Sequence, residues 1–343
     1  MTVQALDPVA LRQYLVAHGV PVAGELTVEL IAGGRSNLTF KVSDEASAWV
    51  VRRPPLGGLT PSAHDVGREF VVTDKLYGTG VPIARPVALD AEGVVCGAPL
   101  TVTEFVTGRV YRHKDDLDSL TDAELAANAS ALVRVLVDLH AVDYRAVGLE
   151  SFGRPDGFLE RQVRLWARQW DLVKTGEADA ALSEDVEKLA AALSESIPQT
   201  SQPSVVHGDF RIDNTICDPE HADRIRAVVD WELSTLGDPL TDIALMCAYR
   251  SPAFDLVFGH PAAWTSERLP SADALAEQYA QLSGRDLSDW SFYQALASFK
   301  IGVIAKGITH RAQHGAKDVQ NADVAAQATP EFIAAARKAL KQN

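Results

Sequence analysis

The feature that most restricts the fold is a change of hydrophobic period near Gly108. Before it, apolar residues come in short runs with the two-residue period of half-buried strands. Such runs cover residues 26–32, 38–43 and 48–53, and two more cover 83–89 and 99–106. After it, apolar residues recur every three to four positions over long stretches, which is helical spacing. A chain of 343 residues can bury two cores. The expected class is α+β, with a small β-rich N-terminal lobe and a large, mostly helical C-terminal lobe.

Local signals place the elements. Asp7-Pro8 opens a short helix over 7–18, a cap followed by a residue suited to the first turn. Gly33-Gly-Arg-Ser-Asn37 joins the first two strands as a hairpin would. A proline- and glycine-rich loop (54–61) precedes the lobe's one main helix, about 64–77, which Gly78 and Gly80 close. Thr121-Asp-Ala-Glu124 has the capping-box pattern and starts a helix running to Leu139. Helices follow at 157–174 and 181–195, short strand-like pieces at 204–206 and 227–229, and mostly helix from 238 to 340 with a loop around 251–270. The lobes expected are 1–106 and 107–343, with a hinge at 104–108. Clefts between lobes are where small-molecule sites usually form.

Composition narrows the class of function. Hydrophobic residues make up 47% and charged residues 23%, as in an ordinary globular enzyme. A formal charge of -14 disfavours nucleic acid or an anionic membrane surface as partner. Cys96, Cys217 and Cys247 are scattered without metal-ligand spacing, as reduced core thiols of a cytoplasmic protein would be. The start, MTVQALDPVALRQYL, lacks a signal peptide's basic and apolar regions. No apolar run approaches the ~18 residues of a membrane helix. A cytoplasmic monomer or homodimer is the expectation.

The chemistry concentrates in His207-Gly-Asp-Phe-Arg-Ile-Asp-Asn214. His-x-Asp-x-x-x-x-Asn is the spacing of kinase catalytic loops. Asp209 would accept the proton of an attacking hydroxyl, and the amide oxygen of Asn214 would hold a metal ion. Further on, Ala227-Val-Val-Asp230 ends an apolar strand on a carboxylate, a second oxygen ligand for Mg2+. The bland alternative is that Asp209 and Asn214 cap turns. His207 has no proton to move and reads as a packed loop anchor.

Together with GGRSNLTF, WVVRRPP, REF, VVDWE and GDPLTDIA, the loop resembles the aminoglycoside phosphotransferase and choline kinase superfamily. The similarity is greatest to a branch of phosphotransferases without an assigned acceptor, related to kinase-like domains fused to acyl-CoA dehydrogenases in some animal proteins. That resemblance implies a protein-kinase-like bilobal fold, with ATP and Mg2+ as cofactors and a small-molecule hydroxyl acceptor as partner. It implies Asp209 as base and Asn214 and Asp230 as magnesium ligands. The cation gripping the ATP phosphates would be Arg52, with Glu69 as its partner, although the register leaves Arg53 open. Ser36 and Asn37 would approach the phosphates from a turn that is equally well a plain hairpin turn. Backbone groups of Glu104 and Val106 would take adenine.

Arg211 stands where protein kinases carry a lysine facing the transferred group, and a cation there would neutralise developing charge. Its structural alternative is pairing with Asp213 or Asp209. Glu232 would touch metal-bound water or substrate, and Asp238 and Asp242 would hold the catalytic loop. Arg161, Arg164 and Arg168 share one face of the 157–174 helix. They suit an anionic acceptor, such as a hydroxy acid or a coenzyme A thioester, better than a polycationic aminoglycoside. A solvated, ion-paired face accounts for them as well. Tyr249 and Arg250 are further pocket candidates. Other classes remain. An antibiotic kinase would show an acidic pocket from the 240–310 region. A nucleotide-binding pseudokinase would have lost one of Asp209, Asn214 and Asp230. A protein kinase lacks room, since six residues separate Asp230 from Gly237.

Overall fold

The structure is a computed structural model describing residues 6–33, 37–54, 65–199, 202–314 and 322–341. Its first elements are α1 (Pro8–Ala17), β1 (Thr27–Gly33), β2 (Leu38–Ser43), β3 (Ala48–Arg53), α2 (Val66–Leu76), β4 (Pro86–Asp90) and β5 (Leu100–Glu104). Then come α3 (Asp122–Ala141), α4 (Phe158–Val173), α5 (Ala180–Glu195), β6 (Ser204–Val206), β7 (Thr215–Cys217), β8 (Ile225–Val228) and β9 (Thr235–Gly237). The chain ends in α6 (Leu240–Ala248), α7 (Phe254–Phe258), α8 (Ala272–Ser283), α9 (Trp290–Gln313) and α10 (Ala322–Leu340). Two compact units result: Met1–Gly108 with Arg226–Ser234, and Arg109–Ile225 with Thr235–Asn343.

The first unit is built on an antiparallel sheet of order β1-β2-β3-β5-β4. Asp7 caps α1 by accepting from the amides of Val9 and Ala10, and Pro8 occupies the first turn. Leu11 and Leu15, four residues apart, bury one face of α1 in the core that Phe40, Val42, Trp49, Val51, Leu100 and Val102 share. Cross-strand pairs Phe40–Val51 and Val42–Trp49 set the register of β2 on β3. The buried residues of α2 are Val66, Glu69, Val72 and Leu76, so a carboxylate interrupts an apolar stripe. Such a group stays buried only when paired.

Segment Arg226–Ser234 joins this unit from far along the chain. The Val228 amide donates to the Pro82 carbonyl at 2.8 Å, and Ile83 bridges Val228 in parallel. Arg226 donates to the Thr107 carbonyl at 2.8 Å, and the Trp231 indole N–H to the Val228 carbonyl at 3.0 Å.

In the second unit, the Thr121–Glu124 capping box closes reciprocally at the start of α3. The stretch read as a loop at 251–270 contains α7 and a 3-10 turn at Ala263–Thr265. Strands β7 and β9, three residues each, are too short for an alternating pattern to reveal. β6 pairs antiparallel with β9, Val206 opposite Thr235, and leads directly into His207. Among the described residues no helix is long and apolar enough to cross a membrane.

Candidate active site

The His207–Asn214 loop begins where β6 ends and is held through its backbone. Gly208 has φ 84°, a left-handed conformation that suits glycine. The Asp242 carboxylate, on the first turn of α6, accepts from the amides of His207 at 2.6 Å and Gly208 at 2.8 Å. Its Oδ2 also lies 3.3 Å from Nε2 of buried His140, whose Nδ1 is 2.8 Å from the Tyr279 hydroxyl. Burial pushes the Asp242 carboxyl up, but the bonds and charges of His140 and His207 outweigh it and hold the pKa below the usual aspartate value. From the other side Lys300, on α9, donates to the Gly208 carbonyl at 2.8 Å and lies 5.7 Å from the Trp166 ring. Burial lowers the Lys300 pKa despite the attraction of Asp209 and Asp242. His207 is a packed anchor, its ring edge-on to Phe210 at 5.8 Å.

Three side chains make four hydrogen bonds to Asp209 on this scaffold. Arg211 and Tyr249 both donate to its Oδ1, Tyr249 at 2.6 Å. Asn214 Nδ2 donates to the Asp209 carbonyl at 2.8 Å and to Oδ2 at 3.2 Å. Arg211 Nε also grips both oxygens of Asp213, at 2.7 and 3.0 Å. The rings of Tyr249, Phe254 and Phe258 lie 5.2, 5.8 and 5.0 Å from the guanidinium. The pairing left open for Arg211 is thus present, with both carboxylates.

The first unit carries a separate charged group. Along β3 burial alternates, with Trp49, Val51 and Arg53 buried and Val50 and Arg52 less so. Arg53 therefore lies on the core face, 5.7 Å from the Phe40 ring, and donates to the Pro54 carbonyl. Arg52 takes the other face and meets Glu69 Oε2 at 3.0 Å, Asp230 Oδ1 at 2.9 Å and Glu232 Oε2 at 3.9 Å. Oxygens of Glu69, Asp230 and Glu232 lie within 4.8 Å of one another, a donor set suited to a hard cation. Burial pushes the Glu69 carboxyl up to about 7 against the pull of Arg52, and the other two acids add to the rise. Asp230 has φ 66°, the one non-glycine left-handed residue among those described. That conformation costs about 1–2 kcal/mol, less for Asp than for branched residues.

Ser36 lies outside the described residues. Asn37 is buried, with both polar atoms of its side-chain amide lacking a partner among the described residues. Glu104 spends its side chain on Arg85 at 3.2 Å and its amide on the Arg85 carbonyl at 2.9 Å. Val106, two residues after Glu104, is half-buried.

Two of the substrate candidates are otherwise engaged. Arg161 turns back to the carbonyls of Arg154 and Asp156, and Arg164 and Arg168 are exposed on α4. The arginine stripe is therefore two exposed cations and one loop fastener. Arg250 caps the carbonyls of Trp264, Ser266, Leu269 and Pro270, which holds the segment after α7. Its role is structural. Replacing Arg250 with Met orphans these carbonyls and should cost about 3 kcal/mol of stability in urea unfolding. Unchanged stability would return Arg250 to the pocket.

Tyr249, named only as a pocket candidate, contacts the Asp209 carboxylate itself. Lys300, His140 and Tyr279 were missed. Lys300 left a trace, a cation inside the apolar run of α9, but His140 and Tyr279 look like ordinary helix residues.

A small antiparallel sheet with one main helix in one unit, and a helical unit carrying an Asp-x-x-x-x-Asn loop, define a kinase-like phosphotransferase. The chain belongs to the Phosphotransferase enzyme family, which it matches over residues 27–296. Human acyl-CoA dehydrogenase family member 11 is 32% identical over 308 residues, 88% of this chain and 38% of that protein. The chain thus spans well under half the length of that relative. A crystal structure from Ralstonia eutropha, provisionally named an aminoglycoside phosphotransferase, superposes with a TM-score of 0.84 at 32% identity and covers 98% of this chain and 99% of that one. Spectinomycin phosphotransferase, solved in complex with ADP and spectinomycin, shares the fold at TM-score 0.63 and 13% identity, with 99% of each chain covered.

Proposed function

We propose that the chain transfers the γ-phosphoryl group of ATP, with magnesium, to a hydroxyl of a small molecule. The observation that carries this is the Asp209 carboxylate, held in a loop that Asp242 and Lys300 fasten from two sides. Asp209 is the base for the acceptor hydroxyl. Asn214 and Asp230 are the magnesium ligands, and the residues fit that ion. Asn214 spends its N–H donors on Asp209, so its amide oxygen remains to bind. Asp230 supplies a second hard oxygen ligand. Arg52, oriented by Glu69, binds phosphate, with Asn37 and Ser36 contributing, and the backbone at Glu104 and Val106 receives adenine. The ADP bound by spectinomycin phosphotransferase supports a nucleotide.

The acceptor class we favour is an anionic hydroxy acid or hydroxyacyl compound. Arg164 and Arg168 are exposed on α4, and Lys300 adds a cation at the loop. An antibiotic kinase is the second reading, because Asp238, Asp286 and Asp289 line an open cavity of about 790 Å³ in the second unit. That cavity is lined by none of residues 207–214, and Arg285 and His140 share its wall.

Incubation with ATP, magnesium and fractionated metabolites, hydroxy acids and thioesters first, should yield a phosphate mass increment on one component. Asn214→Ala and Asp230→Asn should each raise the magnesium needed for half-maximal turnover at least about tenfold. Unaltered magnesium dependence in both variants would remove the ligand assignment.

A further inference from the structure

The Asp209 carboxylate is loaded unequally: among the described residues Oδ1 takes both Arg211 and Tyr249, while Oδ2 has only the 3.2 Å contact from Asn214. The phenol that makes one of these bonds is 4% exposed and packs against Phe254 with the rings tilted by 37° and 4.4 Å apart. A buried hydroxyl without a partner is costly, and Asp209 Oδ1 is the acceptor that satisfies Tyr249.

We propose that Tyr249 is a positioning residue which, with Arg211, fixes the Asp209 carboxylate through Oδ1, so that the acceptor proton is delivered to Oδ2. This rests on the kinase reading and adds to it the oxygen that reacts and the groups that orient it.

Three features lead there. First, an oxygen holding two donors is poorly placed to take a third proton, whereas the opposite oxygen is bound once and at longer range. Second, Arg211 is itself held in place: Asp213 accepts from its Nε with both oxygens, and three aromatic rings lie within 5.8 Å of it. The guanidinium is an orienting group for the base, a different task from facing the transferred phosphoryl group. Third, burial and the Asp209 charge push the phenol pKa well up, so Tyr249 stays a neutral donor. The carboxylate is still 18% exposed, which leaves it a side open to an acceptor.

The step balances. The acceptor oxygen forms its bond to the γ-phosphorus as its O–H bond breaks, and the proton moves to Oδ2. The bond from the γ-phosphorus to the bridging oxygen breaks, and its electron pair leaves with ADP. A base already oriented needs no rotation to meet that proton, and such preorganisation appears in kcat rather than in substrate affinity.

The test uses the whole chain. Crystals with magnesium and a non-hydrolysable ATP analogue should keep Tyr249 and Arg211 on Asp209 Oδ1, with Arg211 still gripping Asp213. Turnover of ATP is then measured with glycerol, as a generic alcohol, and with water alone. Tyr249→Phe should lower kcat about tenfold with the KM for ATP within about twofold, and should leave the carboxylate rotated or in two orientations. Arg211 swung onto the γ-phosphate would overturn the proposal. So would an unchanged kcat in Tyr249→Phe when Asp209→Asn is inactive. Failure of the wild type to bind the analogue overturns the kinase reading and this proposal with it, whereas full turnover in Asp209→Asn places the base elsewhere and overturns this proposal alone. The outcomes are distinct.

Discussion

Asp209→Asn lowers turnover by on the order of a thousandfold, within the range general-base catalysis supplies, and leaves ATP–magnesium affinity within about twofold. The contrast follows from what Asp209 does. In the proposed reaction it acts on the acceptor hydroxyl; Arg52 and Asp230, assigned to the nucleotide, are unchanged, and Asn214 keeps its 2.8 Å bond to the Asp209 carbonyl while losing the 3.2 Å contact with Oδ2. The amide that replaces the carboxylate still offers an oxygen to Tyr249 and Arg211, and Arg211 keeps Asp213, so the loop stays folded. What is lost is the ability to take a proton. Single-turnover measurement with the identified acceptor, beside calorimetric titration of nucleotide, checks both halves. Normal turnover in the variant would mean that the base lies elsewhere. Equal absence of turnover in wild type and variant, with nucleotide bound by both, would favour a pseudokinase.

Asp242→Ala carries the largest expected loss of stability, about 3–5 kcal/mol, the range for removing one partner of a buried charged network. Two backbone amides, His207 and Gly208, lose their acceptor, and buried His140 loses one of its two partners. The pH dependence has a definite sign. The folded pKa of Asp242 is depressed below its ordinary 3.8. Its contribution is therefore present above the unfolded value and disappears as pH falls through the folded one. Urea unfolding should show a constant gap between wild type and Asp242→Ala at neutral pH, narrowing below about pH 4. A gap that widens on acidification would refute this account. Turnover should fall as well, because the loop that carries Asp209 loses its hold.

Much of the fold was legible because its signals are local. Asp7-Pro8, the Thr121–Glu124 box and the glycines after α2 act over a few residues, and each element starts or stops within a few positions of where they place it. The stretch Ala48-Trp-Val-Val51 was different: it is apolar at both parities, so period alone left Arg52 and Arg53 equivalent. Pairing of Phe40 with Val51 resolved them by fixing which face of β3 meets the core. The arginines of α4 show the converse. Their spacing puts them on one face, but a long, forked side chain at a helix start can fold back onto preceding carbonyls, as Arg161 does.

The sequence by itself determined the class of fold, the identity of Asp209, Asn214 and Asp230 as candidates, and the family, because periodicity, caps and motif spacing are properties of neighbouring residues. Only the tertiary structure decided that Arg52 meets Asp230, 178 residues away, within one compact unit. It also enclosed Arg211 in aromatic rings, set Tyr249 on the Asp209 carboxylate and spent Arg250 on a loop. Those pairings are settled by burial, which drives each polar group in the interior to whichever partner the packing brings within reach. Spacing along the chain does not encode that choice.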